Sequence, residues 1–141
     1  MVVKEKFLDR AARHAKLSNC QRRKYGAVLV YKNRKIIGES YTFISDNAEC
    51  LKECPREKNN VEHNNGNYCD CQSKHAEIIA LINSKPEDLL KNNNNIVLYL
   101  YGYDKNGNTI IDAEPCPTCK KYLKFVGINT YINLTGEHEL N

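Results

Sequence analysis

The chain has 141 residues, 41% of them hydrophobic and 27% charged, with a formal net charge of +4. That length suits one domain with a packed core and is too short for two comfortable ones, while the mildly basic balance favours a phosphorylated small molecule over a dedicated nucleic-acid-binding surface. No apolar run approaches bilayer length and the segment Met1-Val2-Val3-Lys4-Glu5-Lys6 has no apolar signal core, so the expectation is a soluble, cytoplasmic protein with no membrane partner.

In chain order, Phe7, Leu8, Ala11, Ala12 and Ala15 recur at helical spacing and predict an amphipathic helix over about 4–18. Gly26 to Tyr31 and Lys35 to Ser40 read as two strands of a hairpin turning at Lys32-Asn33-Arg34. The stretch from Cys50 to Cys71 is a polar, Asn-rich loop. A helix is expected over about 75–83, with Ile78, Ile79 and Ile82 on one side, and a short one from Ser84-Lys85-Pro86-Glu87. Ile96 to Tyr101 is a third strand, Asn106-Gly107 a hairpin signal, and Thr109 to Ile111 a short return. Cys116 to Val126 reads as a helix turning Cys119, Tyr122, Leu123 and Val126 inward, and Asn129 to Leu134 as the last strand. Alternating helices and strands of this kind predict an α/β, three-layered fold.

Two motifs carry the chemistry. His75-Ala76-Glu77 and Pro115-Cys116-Pro117-Thr118-Cys119 together spell the H-x-E…P-C-x-x-C pattern of zinc deaminases. An imidazole and two thiolates fill three tetrahedral positions of a zinc ion and leave the fourth for water, as a catalytic site requires. Glu77 then stands beside the metal as the group that moves protons. The C-x-x-C spacing puts both sulfurs in the first turn of a helix, where free backbone N–H groups favour thiolates. A purely structural zinc site would need no Glu77.

The other cysteines are Cys20, Cys50, Cys54, Cys69 and Cys71. In a cytosolic chain they point to metal rather than to disulfides, and the Cys50 to Cys71 stretch has too few apolar residues to order by burial. A Cys-rich metal-binding insertion at about 45–72 within one zinc-dependent deaminase domain is therefore expected. Arg22, Arg23 and Lys24 precede the first strand, where they could hold a phosphate or form a solvated basic turn.

The chain resembles the deoxycytidylate (dCMP) deaminases of the cytidine deaminase superfamily. Cys20 to Val30 is similar to the family's C-x-R-x-K-V-G-A-V-I-V stretch, Ile37 to Tyr41 to its I-x-x-G-Y strand, and the two metal motifs match. The resemblance implies a central mixed sheet between helices, hydrolysis of the amino group of a cytosine nucleotide, dCMP foremost, and homo-oligomers. It also implies a second, structural zinc on Cys20, Cys50, Cys54 and Cys71, with Cys69 and His63 as alternates. Tyr41 and its neighbour Thr42, together with Arg22, Arg23 and Lys24, are the expected substrate contacts. Thr42 and Ile79 stand where the family usually has asparagines, and the segment between Tyr101 and Pro115 is longer than the family's link. The alternatives are another base, adenine or guanine, or a polynucleotide substrate, and lastly a non-catalytic zinc-binding module.

Overall fold

Alternating and continuous apolar runs make the strands, and their two faces decide where the helices go. The computed structural model describes residues 2–45, 48, 51, 54–60, 73–92 and 95–140, with no side chains for 91 and 92. It contains β1 (Arg23–Tyr31), β2 (Lys35–Tyr41), β3 (Ile96–Asp104), β4 (Thr130–Asn133) and β5 (Gly136–Glu139), joined in the order β2-β1-β3-β4-β5. All neighbours are antiparallel except β3 and β4, which run parallel with Leu98 opposite Tyr131. The sheet is mixed, as the three-layer α/β expectation requires.

β1 and β3 lie at the centre, buried on both faces, so they read as runs of Val, Leu and Tyr rather than as alternation. One face carries Val28, Val30, Val97, Tyr99 and Ile132 and is covered by α1 (Glu5–Lys16) through Phe7, Leu8 and Ala11. The other carries Ala27, Leu29, Leu98, Leu100 and Tyr131 and is covered by α3 (Ala76–Ile82) and α5 (Pro117–Phe125) through Ala76, Ala80 and Leu123. Two short helices, α2 (Pro55–Lys58) and α4 (Pro86–Asn92), complete the elements.

The β1–β2 turn falls where the sequence predicts it. Lys32 and Asn33 have φ of +51° and +54°, the left-handed pair of a type I′ turn, which matches the twist of a tight hairpin. Pairing then slips by one residue: Leu29 faces Gly38 but Val30 faces Ile36, leaving Ile37 as the extra residue of a bulge.

Three expectations need correction. Asn129 to Leu134 is not the last strand, because the chain turns at Gly136 (φ +114°) and β5 pairs back along β4. Gly-Glu-His-Glu is polar throughout and sits on the sheet edge, so it has no apolar alternation to betray it. On α3 the buried side is Ala76, Glu77 and Ala80, whereas Ile82 is exposed and Ile78 and Ile79 only half-buried. Small residues face the sheet because α3 lies so close to β2: a Cβ on Gly38 would meet the Ala80 carbonyl at 2.4 Å. On α5, Tyr122 is exposed rather than inward.

Candidate active site

The two motifs meet at the N-termini of α3 and α5. Pro117 opens α5 at a position where no N–H is needed, and Cys116 caps it by accepting a hydrogen bond on Sγ from the Cys119 N–H at 3.5 Å. His75 occupies the cap position of α3. It is held there by a strand-like clamp that no local motif announces. Lys74 N donates to the Phe43 carbonyl at 2.7 Å, and Phe43 N donates to the Lys74 carbonyl at 3.1 Å. The continuation of β2 thereby fixes the residue just before the histidine.

His75 Nδ1 lies 3.4 Å from Cys116 Sγ and 3.3 Å from Cys119 Sγ, and the three donor atoms are all within 4.8 Å of one another. Tetrahedral zinc with bonds of about 2.0 Å to nitrogen and 2.3 Å to sulfur separates such donors by roughly 3.6 Å, so the set fits the ion. The thiols show the same preference chemically. The hydrogen bond from Cys119 pulls the Cys116 thiol down to about 4, helped by His75 and opposed by burial. Cys119 keeps its proton for the complementary reason, since that hydrogen bond, burial and the nearby Glu77 charge all push its thiol up. A divalent cation between the sulfurs removes that obstacle and lets both bind as thiolates.

Glu77 is 5% exposed and its carboxyl is in hydrogen-bond contact with Cys119. Burial pushes its carboxyl up, and the charge of His75 partly offsets the shift. A carboxyl whose proton is held more tightly than usual is suited to general acid/base work.

The remaining sequence-predicted residues are spread around this centre. Thr42 is buried and pairs with Tyr25: its Oγ1 accepts from Tyr25 N at 3.3 Å and its own N donates to the Tyr25 carbonyl at 2.9 Å. Tyr41 turns the other way, its ring stacked on His14 of α1 at 6.3 Å. Arg22 pairs with Glu57 of α2 at 3.2 Å, and Lys105 of the β3 hairpin reaches the same carboxylate at 3.2 Å. Arg23 and Lys24 begin β1, opposite Asp104 and Tyr103. Cys20 is buried beside Ile44, and Cys54 occupies the position just before α2, with no side-chain bond to the helix. Cys50, Cys69, Cys71 and His63 lie outside the described residues. Basic residues that no motif singles out, Lys120, Lys121 and Lys124, line a shallow groove with Pro117 on the outer side of α5.

Soft donors at tetrahedral spacing, with a buried proton-holding carboxyl alongside, place this enzyme among the zinc-dependent hydrolytic deaminases. Comparison with known proteins narrows the class. The family model for the cytidine and deoxycytidylate deaminase zinc-binding region matches residues 1–135, and the chain belongs to that family. A deoxycytidylate deaminase of Mycobacterium phage D29 is 30% identical over 132 residues, covering 91% of each chain. One from Schizosaccharomyces pombe is 33% identical over 133 residues, and there the match spans 92% of this chain but 36% of the yeast protein. Among solved structures, cytidine deaminase from Burkholderia pseudomallei superposes with a TM-score of 0.59 at 13% identity, covering 99% of this chain and 94% of that one. That from Mycobacterium tuberculosis gives 0.55 at 13% identity, covering 99% and 92%. At such identity these structures establish the shared fold. No helix among the described residues is long and apolar enough to cross a membrane.

Proposed function

We propose that this chain is a deoxycytidylate deaminase, hydrolysing the 4-amino group of dCMP to give dUMP and ammonia in the cytoplasm. The observation that carries the proposal is the convergence of His75, Cys116 and Cys119 beside the buried Glu77. In this reading the first three residues hold zinc and Glu77 is the catalytic acid/base. Zinc, when bound, supplies a Lewis acid that brings the pKa of a coordinated water near 7. Glu77 takes the first proton of the attacking water and delivers it to N3 of the ring. It then carries the second to the amino nitrogen, which leaves as ammonia while the water oxygen stays on C4. The name of the phage relative, matched over nearly its whole length, supports the choice of dCMP. Arg23 and Lys24 at the start of β1, with Arg22 just before it, would attract the phosphate, and Thr42, just past the nearby end of β2, would face the sugar.

The same reading includes one deaminase domain with a Cys-rich insertion at about 45–72, holding a second zinc through Cys20, Cys50, Cys54 and Cys71. It also includes a homo-oligomer, supported by exposed Ile82, Leu90, Tyr122 and Phe125 on α3, α4 and α5.

Ammonia release is to be measured across cytosine, adenine and guanine nucleosides, their monophosphates and single-stranded oligonucleotides. The expected result is the highest kcat/KM for dCMP, with deoxycytidine clearly poorer. Equal values for the two would overturn phosphate recognition, and activity confined to purines or oligonucleotides would overturn the substrate.

A further inference from the structure

We infer that Asn133 is a positioning residue for the metal centre, tying the C-terminal hairpin to the loop that delivers Cys116. The inference rests on the metal assignment proposed above. It starts from an amide that would be costly to bury without partners. Asn133 ends β4 and is 3% exposed. Its Nδ2 donates to the carbonyl of Ala113 at 2.9 Å, a buried contact across 20 residues. Its Oδ1 accepts from Thr135 N at 2.8 Å and from Thr135 Oγ1 at 2.6 Å. His138 Nε2 closes the group, 3.1 Å from that same oxygen and 2.6 Å from Thr135 Oγ1.

Ala113 stands three residues before Cys116 in a segment of no regular structure, and Ala113, Pro115 and Cys116 are all buried. Two side chains hold that segment from outside it: Lys120 of α5 reaches Glu114 Oε2 at 3.1 Å, and the Asn133 amide reaches the Ala113 carbonyl. Of the two, the Asn133 amide is the one that ties it to the sheet, at the point where β4 stops pairing with β3. Tyr131, on the same face of β4, packs among Ala113 and Leu123 and stacks on His138 of β5 at 5.1 Å. The polar edge strand thereby gains a role, since the turn that leads into it orients Asn133 Oδ1 and so aims Nδ2 at the Ala113 carbonyl. Groups hydrogen-bonded directly to a metal ligand commonly alter metal affinity by about 10- to 100-fold when removed, and Asn133, acting three residues upstream of Cys116, belongs at the lower end of that range.

The test compares the zinc-loaded natural protein with Asn133→Asp, Thr135→Ala and Ser84→Ala. Asn133→Asp keeps the acceptor but puts an oxygen where the donor faces the Ala113 carbonyl. Thr135→Ala keeps the donor but releases one grip on it. Ser84→Ala removes a buried hydrogen bond, Ser84 Oγ to the Ala80 carbonyl at 2.8 Å, at the opposite end of α3 from His75 and so serves as the structural control. The readouts are the rate of the phase of zinc release to a chromophoric chelator that accompanies loss of turnover, which separates this centre from the second zinc proposed above, and the visible spectrum of the cobalt-substituted protein. Zinc release is expected to be on the order of tenfold faster in Asn133→Asp, with a shifted cobalt spectrum, less so in Thr135→Ala, and unchanged in Ser84→Ala. Release no faster in Asn133→Asp than in Ser84→Ala overturns the inference. If Asn133→Asp does not fold, Thr135→Ala against Ser84→Ala decides alone, and equal rates overturn it. Failure of the natural protein to bind zinc at all would overturn the metal assignment itself, a different outcome.

Discussion

Glu77 shows how one side chain can be cheap in sequence and costly in structure. A glutamate in the first turn of a helix is ordinary, but here it is buried beside two sulfurs, and burial raises its carboxyl. Glu77→Gln keeps the shape and the metal donors and removes only the capacity to carry a proton. It is expected to lose at least about a hundredfold in kcat with zinc content unchanged, the range typical of a lost general acid/base. Near-normal turnover on the true substrate would remove Glu77 from the mechanism. Each metal motif was legible because its residues are neighbours in sequence. The 41- and 44-residue separations between His75 and the cysteines are closed by packing that only the sheet explains. Tyr41 shows the limit of such legibility: strand position alone did not reveal that Glu39 and Tyr41 both turn toward α1.

At the scale of elements, two glycines set how near the helices come to the sheet. A Cβ at Gly26 would lie 1.9 Å from the Ala11 carbonyl oxygen and 2.6 Å from Ala15 N, both backbone atoms of α1 that cannot step aside. A Cβ at Gly38 would meet Ser84 Oγ at 2.0 Å and the Ala80 carbonyl at 2.4 Å, on the α3 side. Both alanine variants should lose stability, by about 3 kcal/mol in denaturant unfolding as for severe overpacking. Only Gly38→Ala should also lower zinc occupancy, because α3 carries His75 and Glu77. Equal zinc occupancy in the two would show that α3 can shift without disturbing the metal centre. A charged tie joins α1 to β2: Arg10 grips Glu39 through Nε at 2.6 Å and Nη2 at 2.8 Å, and His14 Nε2 meets the same carboxylate at 2.6 Å. The Arg10 hydrogen bonds hold Glu39 below the usual carboxylate range, against burial. A depressed carboxylate stabilises the fold above its unfolded pKa of about 4.3 and loses that contribution as pH falls through its folded value. The stability gap between the natural protein and Glu39→Gln should therefore be full at pH 7 and close on acidification below about pH 4. A gap independent of pH would mean that the tie acts by packing alone. α1 and the central strands were legible because their apolar patterns are strong, whereas β5 and the buried side of α3 were not. There, polar edge residues and small alanines do what apolar periodicity usually marks.

For the whole molecule, a long-range order of strands joins what sequence neighbours cannot. The α/β class follows from the succession of elements, but the β2-β1-β3-β4-β5 order depends on pairings such as Gly26 with Tyr101 that no local signal records. The core accounts for the stability of the sheet and its helices, and it leaves the Cys50 to Cys71 stretch with little to bury. Leu51, Val61 and Tyr68 are nearly its whole apolar content, so the sequence offers little hydrophobic burial there to offset the conformational entropy of ordering. The second zinc proposed above, held by four thiolates, would contribute folding free energy on the order of 10 kcal/mol to such a stretch. Cys20 is buried against Ile44 just before β1, so as one of the proposed ligands it would link such a site to the sheet. The expected stoichiometry in freshly purified, reduced protein is accordingly two zinc ions per chain. Chelation should then expose the thiols of the insertion to titration and lower the melting temperature, and readdition of zinc should restore both. A single zinc per chain, with Cys20, Cys50, Cys54 and Cys71 freely titratable while dCMP is still turned over, would leave the catalytic centre intact and remove the second metal from the molecule.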